Sequence, residues 1–283
     1  MSKGVLVDVT RCVGCRSCMV ACKSWNDLPA NKSEFANNWD SPGKINANNW
    51  TVVNSYIIEQ GDDLKWRFVK KQCMHCLEPA CESACFTHSF VKTKEGAVIY
   101  KPTELDQDYC VGCRYCMIAC PFGVPSFQWD KPLPFVQKCK FCYDRMKEEG
   151  MEPACVTACL TGALQFGERD QLLAEARQRI DRDPNYIKQI YGEKEYGGTS
   201  WLYIADVPFE QLGFKTEAFG KPVSTKSIPT YTWDALKLTP YIFVGWGAIL
   251  TALHLYTKRR AEVAHNEEEM YEAVNTQEKD QEE

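Results

Sequence analysis

DYCVGCRYCMIACPFGVP, residues 108–125, decides the reading of this chain. Its cysteines, Cys110, Cys113, Cys116 and Cys120, are separated by two, two and three residues, and Pro121 follows the last of them. In such a run three thiolates wrap one iron–sulfur cubane while the fourth ligates a different cluster. A cysteine given to another cluster requires a second motif to give one back.

Three more motifs are present. Cys12, Cys15, Cys18 and Cys22 repeat the spacing in RCVGCRSCMVAC. Cys73, Cys76, Cys81 and Cys85 widen the middle gap to four residues in QCMHCLEPACESAC, and Cys139, Cys142, Cys155 and Cys159 widen it to twelve in KCKFCYDRMKEEGMEPACVTAC. These motifs use all sixteen cysteines, and each opens as Cys-x-x-Cys and closes as Cys-x-x-x-Cys.

Two other uses of cysteine compete with iron–sulfur ligation. Disulfides suit a small secreted domain, whereas the N-terminal stretch MSKGVLVDVTRC carries neither a long apolar segment nor a twin arginine, so no export signal is expected. Structural zinc takes two Cys-x-x-Cys pairs per ion, and the fourth motif alone can be drawn that way. Zinc leaves unexplained the third cysteine two residues further on in motifs one and three, which a loop coiling round a cube requires.

If ligands cross over between motifs, motif two pairs with three and motif one with four. The expected sets are Cys12, Cys15, Cys18 with Cys159; Cys139, Cys142, Cys155 with Cys22; Cys73, Cys76, Cys81 with Cys120; and Cys110, Cys113, Cys116 with Cys85. The expected fold is α+β, two ferredoxin-like [4Fe-4S] units related by pseudo-symmetry and followed by one C-terminal transmembrane helix. Four [4Fe-4S] clusters are the expected cofactors, and they replace part of the side-chain core that 283 residues would otherwise need.

The formal net charge of −5 and the absence of a basic stripe argue against a nucleic-acid partner. No Ser/His/Asp set, phosphate-cradling glycine loop or pocket-like carboxylate pair appears, so no catalytic residue is assigned. His75 and His88 lie beside or just after motif two, where a histidine could donate a hydrogen bond to a cluster sulfur or raise its potential by protonation. For His88 a plain supporting or surface role is expected.

Along the chain, GVLVDVT (4–10) predicts a strand with Val7 and Val9 on one side, and residues 23–43 an irregular surface segment. WTVVNSYII (50–58) and LKWRFVK (64–70) predict a hairpin, and GAVIY (96–100) a strand leading through 101–109 to motif three. ERDQLLAEARQRI predicts a helix from Glu168 with Leu172, Leu173, Ala176 and Ile180 on one stripe, ended by Asp183-Pro184; WLYIAD (201–206) predicts a strand.

The domain plan is a double four-cluster domain (1–170), a partner-contact extension (171–235), a transmembrane helix (236–257) and an acidic, disordered tail (258–283). The stretch LKLTPYIFVGWGAILTALHLY (236–256) has no formally charged residue from Leu238 onward, and at about 1.5 Å per residue spans about 31 Å. From Ala261 the tail holds nine acidic residues and one lysine. KRR at 258–260 favours a cytoplasmic C-terminal end. His254, within the apolar helix, is a weak haem-ligand candidate.

The stretches CVGCRSCMVACKSWNDLP, NNWTVV, CMHCLEPACESAC, CVGCRYCMIACPFGVP, KCKFCYDR, EPACVTACLTGAL and GGTSWLYIAD, before a single apolar helix, resemble the four-cluster β subunits of the molybdopterin oxidoreductase family, above all that of membrane-bound formate dehydrogenase. The resemblance implies an electron-transfer subunit without a catalytic site. Electrons would enter from a molybdopterin catalytic subunit at motif one, cross motifs four and two, and leave at motif three toward a membrane cytochrome b, or another quinone-reactive subunit, and quinone. It also implies the inner membrane, with the cluster domain outside and the tail in the cytoplasm. Only motif three is closed by proline; Lys23, Phe86 and Leu160 stand at the equivalent places. Iron–sulfur subunits of membrane-bound nickel–iron hydrogenases are similar too, and a non-redox, metal-stabilised scaffold is the third alternative.

Overall fold

The computed structural model describes residues 2–30, 40, 43–61, 63–100, 110–218 and 221–281. The irregular segment expected at 23–43 lies outside them at 31–39 and 41–42, as do the approach to motif three at 101–109 and the last two tail residues. In chain order the elements are β1 (Lys3–Asp8), α1 (Ser17–Trp25), β2 (Thr51–Gln60), β3 (Asp63–Gln72), α2 (Ala80–Ser83), β4 (Phe90–Lys92), β5 (Val98–Tyr100), α3 (Tyr115–Ala119), β6 (Ser126–Phe127) and β7 (Val136–Gln137). There follow α4 (Tyr143–Glu148), α5 (Ala154–Thr157), β8 (Leu164–Glu168), α6 (Arg169–Arg182), β9 (Trp201–Ile204), β10 (Glu217–Ala218), β11 (Lys221–Pro222), α7 (Ile228–Leu236) and α8 (Thr239–Gln281).

The chain divides into two compact units, Met1–Thr230 and Tyr231–Glu283. In the first, β1 is the middle of a three-stranded sheet of order β8-β1-β9, antiparallel to β8 and parallel to β9. A middle strand covered on both faces buries both sets of side chains, which is why Val5, Leu6 and Val7 form a continuous apolar run. Val5, Val7 and Val9 join Trp201 and Tyr203 on the face toward the cysteines. Leu6, Leu202 and Ile204 face the other way, onto Leu172, Leu173 and Ala176 of α6.

The α6 stripe is buried as the periodicity predicts, with Ile180 packed at its margin. Asp8, at the end of β1, holds α6 in register: it accepts from Tyr186 at 2.9 Å and pairs with Arg179 at 3.2 Å. Residues 171–212 lie in the same compact unit as the cysteine motifs. They supply a sheet strand, a covering helix and the fully buried Trp201, Leu202, Tyr203, Phe209 and Leu212. β9 pairs with β1 although the two are about two hundred residues apart in sequence, a pairing invisible to local pattern.

The predicted hairpin forms from β2 and β3. It is tied to the sheet by Arg67, whose guanidinium donates twice to Asp206 at 2.9 and 2.7 Å, with Lys65 adding a contact at 3.2 Å. The strand expected at 96–100 is β5, paired with β4 in a ribbon; β6 and β7 make another.

In the second unit, α8 runs unbroken through Gln281. The tail expected to be disordered from 258 is thus helical to that point, with Lys258–Glu262 and His265–Glu269 pairs one turn apart on its surface. Acidic residues with good helix propensity extend a helix already nucleated by the apolar stretch, since propagation is easier than nucleation. Residues 228–270 include the one helical stretch, among the described residues, long and apolar enough to cross a membrane.

Candidate metal centres

All four motifs share one local backbone feature. The residue before the second cysteine has positive φ in each: Gly14 (70°), His75 (48°), Gly112 (67°) and Phe141 (63°). This is a left-handed kink between the two cysteines of each Cys-x-x-Cys. Glycine meets it without strain, and at Gly14 a Cβ would stand 2.5 Å from the Phe68 ring. At His75 and Phe141 a side chain is kept despite an uncommon conformation.

The helices that follow bring distant motifs together. α1 of motif one packs against α5 of motif four, and α2 of motif two against α3 of motif three. One cavity is lined by Cys12, Cys15, Cys18 and Cys159. A second is lined by Cys22, Cys139, Cys142 and Cys155. In the other half, burial pushes Cys76 well up, with Cys73, Cys120 and Cys81 adding to the rise. Cys116 is pushed to about 12 by burial, with Cys85, Cys110 and Cys113 adding. Two of the expected sets thus each line one cavity.

Burial likewise drives Cys18, Cys22 and Cys81 to about 12 and Cys142 to about 11. Cys85 stands below its ordinary value: burial raises it, but the hydroxyls and amides of Thr87 and Ser89 outweigh burial. Four thiolates around one cavity repel, and a positively charged metal core removes that repulsion and deprotonates them. Among the described residues no three His, Cys, Asp or Glu side chains converge as ligands of a single ion. The thiols of motifs one and four line two cavities, which fits a cofactor bound at separate corners.

Charged and polar side chains that the motif spacing did not reveal stand between these groups. Lys70, 2% exposed, lines both the first and second cavities. Its Nζ donates to Gln72 at 2.8 Å and lies 4.3 Å from the Trp201 ring centre. Burial alone would push this ammonium down, but Cys155, Cys18, Tyr203 and Cys139 around it hold it above the ordinary lysine value. Lys138 is equally buried, with Nζ 3.8 Å from Cys73 Sγ. The one sequence signal was a lysine set directly against a motif, as in VQKCKFC.

His75 is fully buried and lies 3.5 Å from Cys139 Sγ through Nε2. Burial first, then Lys138, Lys92 and Lys70, hold its imidazole well below the ordinary range, so the ring is neutral. His88 is exposed, as expected, and so is His254 on α8.

A 4Fe-4S dicluster domain matches residues 64–169. Over 271 residues the chain is 45% identical to a protein of Nitratidesulfovibrio vulgaris (strain Hildenborough), covering 94% of this chain and 70% of that one. It is 33% identical over 243 residues to the hydrogenase-2 operon protein HybA of Escherichia coli O157:H7, covering 75% and 72%. The formate dehydrogenase-O iron-sulfur subunit of Escherichia coli K12 is 36% identical over 212 residues, covering 72% of this chain and 67% of its own length. The chain belongs to this family of 4Fe-4S iron–sulfur subunits.

Proposed function

We propose that this iron–sulfur subunit passes electrons through four [4Fe-4S] clusters, from a molybdenum or tungsten formate dehydrogenase catalytic subunit to a membrane cytochrome b and quinone. The observation that carries the reading is the pair of cavities, each lined by four cysteines drawn from two motifs far apart in sequence. Ligand sets as expected from the motif spacing would give two ferredoxin-like units, motif one with four and motif two with three. Bound cubanes would supply one-electron carriers; the protein's part is to hold them in line, dry and apart.

In this reading the chain's own residues do the insulating and the tuning. Trp201 and Phe141 line the second cavity, and Lys70, which lines both, places positive charge beside the first and second. The exposed apolar face of α8 anchors the subunit, with the cluster unit on the outer side of the inner membrane and residues beyond the helix's apolar part in the cytoplasm. The likeness to HybA supports a second reading, the same wire serving a nickel–iron hydrogenase.

The test is gentle purification from the native membrane, with iron analysis and formate- and hydrogen-dependent quinone or dye reduction. About sixteen irons per chain with a molybdopterin partner and formate activity is the expected result. A nickel–iron partner with hydrogen uptake moves the wire to the second reading. Colourless, zinc-loaded protein overturns both and leaves a metal-stabilised scaffold.

A further inference from the structure

Motifs two and four meet across the boundary between the two motif pairs, where Lys138 Nζ lies 3.8 Å from Cys73 Sγ and 3.1 Å from the Cys139 carbonyl oxygen. Two side chains cross that boundary in opposite directions. His75 belongs to the motif-two loop, and its Nε2 reaches Cys139 Sγ at 3.5 Å. Its Nδ1 takes the backbone N–H of Val98 at 2.8 Å. An amide N–H only donates, so Nδ1 is the bare nitrogen and Nε2 carries the proton that points at sulfur.

Lys138 belongs to the motif-four loop, and its Nζ reaches Cys73 Sγ at 3.8 Å. The same Nζ donates to the carbonyl of Val98 and, at 3.1 Å, to that of Cys139. One residue of β5 therefore pins both donors, the imidazole through its N–H and the lysine through its C=O. The Phe141 ring lies 4.8 Å from the imidazole and braces it.

Backbone conformation supports a role for these side chains. The loop needs a left-handed residue at this point, and motifs one and three meet the need with Gly14 and Gly112. Motifs two and four place His75 and Phe141 there, at a cost on the order of 1 kcal/mol or more each. Side chains are kept where the two motif pairs meet, and glycine is used where they do not.

We infer that His75 and Lys138 are positioning residues that set the reduction potentials of the two middle clusters, each acting on the cluster of the other's motif. This rests on the four-cluster reading above. Hydrogen bonds to ligating sulfur stabilise the extra negative charge of a reduced cluster and so raise its potential. His75 raises the potential of the cluster held by Cys139, and Lys138 that of the cluster held by Cys73.

The experiment is a redox titration followed by electron paramagnetic resonance, with iron content, on the complex purified from membranes carrying His75→Phe, His75→Gln, Lys138→Met or Lys138→Arg. With iron unchanged, His75→Phe and Lys138→Met should each lower the reduced-to-oxidised ratio of a different component about tenfold at fixed potential, 59 mV for a one-electron couple. His75→Gln, which keeps an N–H donor, and Lys138→Arg, which keeps the charge, should restore most of the shift. Unmoved potentials with iron intact overturn the inference alone. Loss of iron in place of a shift assigns these residues to holding the fold and overturns it too, while a wild-type complex without cluster signals takes the four-cluster reading down with it.

Discussion

The half of the first unit around motifs one and four and the half around motifs two and three are built differently. The former leans on a three-stranded sheet, a covering helix and an aromatic cluster in which Tyr191, Tyr203, Phe209 and Phe214 lie with ring centres 4.6–6.4 Å apart. The latter has two-stranded ribbons and a small core of Cys81, Cys85, Phe90, Val98, Cys116 and Val136. Three of those six are cysteines of the expected ligand sets. Two-stranded ribbons are marginal by themselves, so bound clusters would add order to this half, whose Met74, Ala97 and Ile99 also reach the larger core of the other.

The largest expected effect follows directly. Removing iron with a chelator under reducing conditions should abolish amide-exchange protection across residues 80–100 and 110–137, while β8, β1 and β9 keep most of theirs. Equal loss in both halves would break the contrast. Next in size, Trp201→Ala should destabilise the protein by about 3–5 kcal/mol, because it empties a fully buried site under Lys70. Phe90→Ala in the other half should show itself first as lost iron, measured per chain, before any change in the melting of the sheet.

Asp206→Asn should cost about 1–3 kcal/mol, since it leaves Arg67 and Lys65 without their carboxylate, and the cost should be the same with or without iron. Burial raises this carboxyl's pKa, but the hydrogen bonds and charges of Arg67 and Lys65 outweigh burial and hold it below the ordinary aspartate value. A lowered folded pKa contributes stability that is present above the unfolded value, near 3.9, and lost as pH falls through the folded one. Wild-type and Asp206→Asn melting curves should therefore converge in acid and separate above about pH 4. The smallest effect is Glu175→Gln on the outer face of α6, about 0.3–0.5 kcal/mol with iron content unchanged.

The two halves were unequally legible. In the half around motifs two and three, Cys73 to Cys120 announce themselves by spacing alone, but β4, β6 and β7 are too short to carry a pattern. In the protein-cored half the stripe of α6 and the apolar runs of β1 and β9 were readable as elements. That β1 is a middle strand, with β8 antiparallel on one side and β9 parallel on the other, was not. Nor was the helical course of the acidic tail after 258, because composition reports what a segment cannot bury rather than what a preceding helix can extend.

By itself, the sequence singled out sixteen cysteines through their spacing. A cube of iron and sulfur imposes short, fixed separations on the thiols that wrap it, and those separations are written in covalent order from Cys12 to Cys159. Only the tertiary structure decided which motifs meet, that Lys70 and Lys138 lie buried among thiols, and that His75 points its proton at Cys139. Those outcomes depend on the closure of a sheet whose strands are two hundred residues apart and on burying charge where other charges compensate it, and neither has a local signature.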